Sequence, residues 1–455
     1  MKRPALILAA LFLAGWAGAH EHTRPKTPME KAGLVAPDPE NSREITVRIL
    51  NTEVEAPLPG CIRIAEVEPT VSKGAQTPWL DLSPLLARCQ GLSQEKQRLG
   101  WFVLAKGETK IRVPKGKLKF EAFSGIEFSS AKLESDEAEV KLKLMQLFDP
   151  ERDGWIAGNT HLHLNRLTRE ECDRYLREIP AADRLRVVFV SYLERAIVDR
   201  TYISNEYTAA DLEKLDTKSL KFGSGQEYRH NFGGGGEGYG HVMLLEQAKR
   251  ILPASLGPGI TKMGTDGTPL RPGIERARAD GGTVIWCHNS FGHEDIPNWL
   301  GGRVDAQNIF DGGNRGSYED TFYRYLNLGI RVPFSTGTDW FIYDFSRVYV
   351  RNNPEEKLTK ESFLKSLRNG SSIITNGPWI TLKIDAAQPG DTLALTKPAT
   401  LKVDVSANGR FDFEAIEIVK NGEIAHSHAK GPAETKFSVD IEIDKPSWIA
   451  ARIKP

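Results

Sequence analysis

Six residues in this chain are of types that bind divalent cations, and each stands where a strand is expected to start or end: His161, His163, Glu227, His241, His288 and Asp339. The first two fall in Gly158-Asn-Thr-His-Leu-His163. Residues two apart along a strand project to the same side, so both imidazoles can grip one ion. Gly225-Gln-Glu227 supplies a carboxylate after a glycine turn, and Gly240-His241 opens the apolar run Val242-Met-Leu-Leu245. Trp286-Cys287-His288 closes another strand with a histidine, and Phe334-Ser-Thr-Gly-Thr-Asp339 closes a third with a carboxylate. A buried imidazole or carboxylate left without a partner is destabilising, and a shared cation would satisfy the whole set. The competing reading is hydrogen-bonded core histidines and helix-capping carboxylates. Imidazole and carboxylate ligands without clustered thiolates suit zinc, manganese or iron. A divalent cation held in this way can acidify a bound water, which is hydrolytic chemistry at a carbonyl or phosphoryl centre.

Residues this far apart need a scaffold that brings strand ends together. From Asp153-Gly154 onward the pattern alternates helices and apolar strands. Thr168 and Glu171 form a capping box, after which Cys172, Tyr175, Leu176 and Ile179 share one helical face. The strand Arg186-Val-Val-Phe-Val190 follows. Pro272 suits a first helical turn and leads to Gly281-Gly282 and the strand Thr283-Val-Ile-Trp286. Ser317 caps a helix that Gly329 ends, and Thr359 begins another that stops at Gly370. This rhythm predicts a parallel α/β layout, sheet or barrel, with its site at the strand ends.

On either side the pattern is strand and turn. Ile45 to Leu50, Cys61 to Ile64, Trp101 to Leu104, Thr109 to Val113, Leu118 to Ala122 and Ala138 to Leu144 alternate apolar and polar residues, as in a small antiparallel β domain. Trp379 to Ile384, Thr400 to Val405, Ala415 to Val419 and Trp448 to Ile453 predict a C-terminal β-sandwich module. Lys2-Arg3, the apolar stretch Ala5 to Trp16 and Ala17-Gly-Ala19 have the three-part layout of a secretory signal peptide. The expected organisation is therefore a signal peptide at 1–19, a flexible lead-in at 20–43, an N-terminal β domain at 44–150, an α/β part at 151–371 and the β module at 372–455. The product would be secreted or periplasmic. With 60 basic and 60 acidic residues and no basic block, the chain is poorly suited to nucleic acid or anionic membrane. An oxidising compartment permits disulfides. Of Cys61, Cys89, Cys172 and Cys287, the pair sharing one segment, Cys61 and Cys89, is the expected bond.

The order HxH, Glu, Gly-His, strand-end His and Gly-Thr-Asp resembles the polymerase-and-histidinol-phosphatase (PHP) superfamily of metallohydrolases. Within it the chain is most similar to the CehA/McbA-type branch, through Gly154-Trp-Ile-Ala-Gly-Asn-Thr-His-Leu-His163, Ile374-Thr-Asn-Gly-Pro378 and Glu417-Ile-Val-Lys-Asn-Gly422. The likeness covers roughly residues 150 to 425. It implies a distorted (β/α)7 barrel flanked by β domains. It also implies one metal position at His161, His163 and Asp339, a second at His241 and His288, and Glu227 bridging. Where the family often has Thr-Asp-His, this chain has Ser191-Tyr-Leu-Glu-Arg195. Where it commonly has Asp-x-His, this chain has Asp339-Trp-Phe341. Both missing histidines would serve a third ion, so two divalent ions are expected, with Trp340 and Phe341 bordering the third position.

Arg195, His230 and Asn289 adjoin the motifs and are the candidates for holding a carbonyl or anionic oxygen; Asn165 is a weaker one. Gly233 to Gly236 lacks the Lys-Ser/Thr of a P-loop and reads as a loop over the site. His426 and His428 repeat the HxH spacing without carboxylate company and read as surface residues. The expected activity is cleavage of a small-molecule carboxyl ester, carbamate or phosphoester. The alternative is a secreted binding protein whose metal-bearing barrel is catalytically idle.

Overall fold

The computed structural model describes residues 34–67, 78–92, 99–194, 202–230, 238–257, 268–288, 292–311, 317–353 and 355–454. The stretch expected to be a signal peptide, most of the expected lead-in, Arg195, Asn289 and Gly233 to Gly236 lie outside the described residues.

The N-terminal alternation forms strands, but the pairing is mixed where a purely antiparallel domain was expected. Strand Ser42–Asn51 lies between Glu108–Pro114, antiparallel, and Glu139–Leu144, parallel. Gly60–Glu66 pairs antiparallel with Leu118–Phe123 in a second sheet. Period-two spacing sends Ile45, Val47 and Ile49 from one sheet, and Ile62, Ile64 and Phe120 from the other, into one shared core. The Cys61–Cys89 disulfide is a correction: Cys61 is a free, fully buried thiol, held well above its ordinary pKa by burial.

The central part is a mixed sheet of eleven strands, nine of them along its main path: β1 (Trp155–His163), β2 (Val187–Tyr192), β3 (Lys221–His230), β4 (Gly240–Leu245), β5 (Thr283–Trp286), β6 (Ala306–Asn308), β7 (Phe334–Ser335), β8 (Arg347–Arg351) and β9 (Ser372–Thr375); the short strands Ser255–Leu256 and Asp339–Trp340 pair beside β3 and β1. The spatial order along the main path is β7-β6-β5-β4-β3-β2-β1-β8-β9. β7 and β9 come together at the remaining gap, so the sheet is nearly closed into a barrel. The layout is not the purely parallel one expected. β4 runs against both its neighbours, and β8 runs against β1 and β9; the other strands point one way. β9 was expected in the C-terminal module, but it pairs with β8.

Helix α1 (Arg169–Ala182) packs outside the barrel; Thr168 and Glu171 form the predicted reciprocal cap, and Cys172, Tyr175, Leu176 and Ile179 are buried. Helix α2 (Lys360–Arg368), capped by Thr359, packs Phe363, Leu364 and Leu367 against Val187, Phe189, Met243, Leu245 and Ile285. Gly158 permits that plug, because a Cβ there would stand 2.4 Å from Cζ of Phe363. One end of the barrel is thus filled with apolar side chains, and polar groups can collect only at the other.

In the C-terminal module, Trp379–Ile384, Ala399–Asn408 and Glu434–Ile443 form one sheet; Phe413–Lys420, Glu423–Gly431 and Ile449–Lys454 form another. Val403, Val405 and Ile441 meet Ile416 and Ile418 between them. Among the described residues, no helix is long and apolar enough to cross a membrane.

Candidate metal centre

Strand direction explains why these six residues meet. β1, β3, β5 and β7 all run toward the open end of the barrel, so residues late in them or just beyond arrive there. β4 runs the opposite way, and a histidine at its start, His241, reaches the same mouth.

Side-chain parity is set strand by strand. In β1, Ile156 and Gly158 face the α2 plug inside the barrel, while Trp155 and Ala157 join the outer core. Strict alternation would then send His161 outward. The β1–β2 register shifts between Asn159 and Leu162, and this irregularity turns His161 and His163 inward, with Leu162 and Leu164 outside. Asn159 anchors the turn: its Oδ1 accepts from the His161 N–H at 3.1 Å, and its Nδ2 donates to Thr338 Oγ1 at 2.8 Å. Gly337 allows the β7 loop to lie on His161, since a Cβ would stand 2.6 Å from the His161 Cβ. His288 and Asp339 have left-handed backbones, with φ of 59° and 57°. Such conformations are uncommon for residues with a Cβ and cluster at functional sites. Cys287 already faces the barrel interior, so the turn at His288 is what brings the next side chain inward as well.

The donor atoms form two groups that share one carboxylate. His161 Nε2 lies 3.0 Å from His163 Nε2 and 3.3 Å from Asp339 Oδ1, and His163 Nε2 lies 3.1 Å from Glu227 Oε2. The other Glu227 oxygen, Oε1, is 3.2 Å from His241 Nδ1 and 3.8 Å from His288 Nε2. Within each group every ligand atom is within 4.8 Å of the others, and all six residues are buried. The structure therefore brings together all six predicted ligands.

The donor set fits divalent cations. His241 has both ring nitrogens buried without a hydrogen bond, despite the nearness of Glu227, and Asp339 Oδ1 is in the same state. Groups stranded in this way cost about 1–3 kcal/mol each, and a cation between them removes that cost. The second ring nitrogens of three ligands are already held. His163 Nδ1 meets the Ser191 carbonyl at 2.9 Å, while His161 and His288 meet Asp311 through Nδ1. That is how metal-binding imidazoles are normally oriented.

The electrostatics point the same way. Glu227 is buried, yet its carboxyl is held well below the usual range by Arg229 and by the imidazoles around it, which outweigh burial. Burial likewise opposes ionisation of Asp311, but His288 and His161 hold its carboxyl far below the ordinary value. His161 is raised well above an ordinary histidine: burial works against its charge, and Asp339, Cys287 and Asp311 overcome it. Three carboxylates in so small a volume call for positive charge. Cys287 lies near His161 and Asp311, but burial pushes its thiol up to about 11, and a metal takes the thiolate.

Two participants, Asp311 and Arg229, are absent from the sequence reading. Asp311 follows the end of β6 in Asn308-Ile-Phe-Asp, the same strand-end placement that marked Asp339. Arg229 is two residues beyond Glu227 on the same face of β3, with Nη1 3.3 Å from Glu227 Oε1; the alternation that aligned His161 with His163 would have found it. His230 does not join the centre. It falls on the opposite face of β3, its ring 4.5 Å from that of Tyr228 and its Nδ1 2.8 Å from the Thr268 carbonyl. Burial holds it below an ordinary histidine. Trp340 borders the centre, 5.1 Å from the His163 ring and 5.0 Å from Tyr202. Phe341 turns away into the core against Tyr175.

No protein-family model matches this chain, and no curated protein matches it. One solved structure, that of a Streptococcal ancillary pilin, aligns at 11% identity with a TM-score of 0.16, over 28% of this chain and 38% of that one. A likeness at that level carries no argument about fold or activity. The centre itself is a nearly closed mixed barrel with buried His, Asp and Glu clusters of metal-binding type.

Proposed function

We propose that this chain is an exported two-cation hydrolase of the PHP type, in its CehA/McbA-like branch, acting on a small-molecule ester, carbamate or phosphoester. The observation that carries the reading is the division of Glu227, whose Oε2 serves His161 and His163 while Oε1 serves His241 and His288. His161, His163, Asp339 and Glu227 would hold one ion; His241, His288 and the other oxygen of Glu227 would hold the second. The strands that share one direction, with β4 and β8 reversed, suit a distorted (β/α)7 barrel, and the β regions on either side suit the branch.

A cation pair bound there supplies a water acidified to near neutrality and polarises the carbonyl or phosphoryl oxygen. The chain's own residues hold the geometry. Arg229 keeps Glu227 ionised, Asn159 and Gly337 fix His161, and the plug beneath excludes water from the barrel floor. Trp340 and Tyr202 form an aromatic wall beside His163, and Phe341, at the position of the family's further histidine, turns into the core, which supports two ions in place of three. Arg195 and Asn289, which follow β2 and β5 in the sequence, remain the candidates for gripping the substrate oxygen. The leader would place the enzyme outside the cytoplasm, secreted or periplasmic.

The test is metal analysis of purified protein, followed by chelation, reloading with zinc or manganese, and a panel of carboxyl esters, carbamates, phosphomonoesters and phosphodiesters. Two ions per chain, with turnover lost on chelation and restored on reloading, is the expected result. Three tightly bound ions, or none after reloading, would overturn it. Two ions without turnover on any ester class would favour an idle binding protein.

A further inference from the structure

Asp311 is wholly buried just beyond β6. Its Oδ2 lies 2.8 Å from Nδ1 of His161 and its Oδ1 3.1 Å from Nδ1 of His288. Those histidines belong to different donor groups, one beside His163 and Asp339, the other beside His241. Asn308 Nδ2 donates to the Oδ2 that also receives His161, at 3.2 Å. An ionised carboxylate only accepts hydrogen bonds. Both histidines must therefore carry a proton on Nδ1, which leaves Nε2 as the nitrogen with which each can bind a cation, any proton there being given up on binding. We infer that Asp311 is a positioning residue that holds His161 and His288 in the tautomer able to bind a cation. With one histidine at each cation position, it ties the two positions together through a single carboxylate. This inference rests on the two-cation reading above.

The arrangement has an uneven weak point. An asparagine has one accepting and one donating face. In Asp311→Asn the Asn308 amide selects the accepting oxygen for the His161 side. The donating NH2 then faces Nδ1 of His288. That nitrogen must become an acceptor, and the His288 proton moves to Nε2, where a cation would otherwise bind. The substitution should therefore disable the His241–His288 position and spare the His161–His163 position.

Zinc titration of the full chain, with Zn2+ alone as the probe, reads this directly. Wild type is expected to take up two ions. D311N is expected to bind the first with less than about a tenfold change and the second about 10–100-fold more weakly, the usual scale for losing such a partner. Long-range 1H–15N spectra should place the His288 proton on Nδ1 in wild type and on Nε2 in D311N, with His161 unchanged. In a His288→Ala background, D311N should weaken zinc binding no further. Equal weakening of both steps, wild-type binding of both ions by D311N, or loss of a third ion belonging to Asp311 would overturn the proposal. Should D311N fail to fold, a wild-type spectrum with the His288 proton on Nε2 overturns it alone. A wild type that binds no zinc fails the two-cation reading instead, and the metal-free spectra still decide the tautomers.

Discussion

Among the described residues, two of the groups of buried charged side chains are arranged in opposite ways. Arg88, from the N-terminal β region, grips Asp183 at the end of α1 with two bonds, Nε to Oδ1 at 3.2 Å and Nη2 to Oδ2 at 2.7 Å. Its remaining donors reach the carbonyls of Tyr343 and Asp344 at 2.5 and 3.1 Å, and Arg347 donates to the Asp183 carbonyl at 2.5 Å. Every charge there has a planar, directional partner. Around Glu227, donor atoms crowd at comparable distances, but His241 and Asp339 Oδ1 make no hydrogen bonds, and carboxylates outnumber the fixed cations beside them. Side chains buried for stability satisfy one another. Side chains buried to hold something else converge on a point and leave one another unsatisfied. The first pattern ties the N-terminal region to the barrel; the second is a site.

That contrast predicts opposite outcomes for substitutions of similar burial. Asp339→Asn or Glu227→Gln should lower turnover by at least about a hundredfold, beyond the loss usual for outer partners of a ligand. For Asp339→Asn the thermal midpoint of the metal-free protein should stay nearly unchanged, because the Oδ1 it alters makes no hydrogen bond; Glu227→Gln also strands Arg229 and should lower the midpoint. Parallel losses of rate and midpoint in Asp339→Asn would erase the distinction between the two clusters. Arg88→Ala should do the reverse. It strands Asp183 in the interior and should cost about 3–5 kcal/mol in denaturant unfolding, while the protein that remains folded keeps its cation number. Cys287→Ala is the smallest effect expected. It removes one buried sulfur beside the centre, should cost about 1 kcal/mol on the scale of small core truncations, and should leave metal content unchanged. A lost ion would make Cys287 a ligand and redraw the site.

The two clusters also differ in how far they can be read from sequence. The candidate metal-binding residues are legible because strand alternation and strand ends are local signals: His161 and His163 two apart, His288 and Asp339 closing apolar runs. The same rules extended one step would have given Asp311 and Arg229. His230 was misjudged because adjacency in sequence was taken for adjacency in space, and alternation along β3 puts it on the other face. The reversal of β4 and β8 has no local signature, since an apolar strand reads the same in either direction. The Arg88–Asp183 pair joins positions far apart in the chain with no spacing rule between them, so only the folded structure displays it. The Cys61–Cys89 bond shows a related limit: sharing a segment does not by itself form a disulfide, and Cys61 stays a buried thiol.

The most direct measurement is a crystal structure of zinc-loaded protein with anomalous scattering recorded at the zinc edge. Two peaks are expected, with bonds of about 2.0–2.2 Å. One should lie among His161, His163, Asp339 and Glu227 Oε2, and the other among His241, His288 and Glu227 Oε1. A single peak beside His161, Cys287 and Asp311, or no peak among these residues, would contradict the two-cation centre.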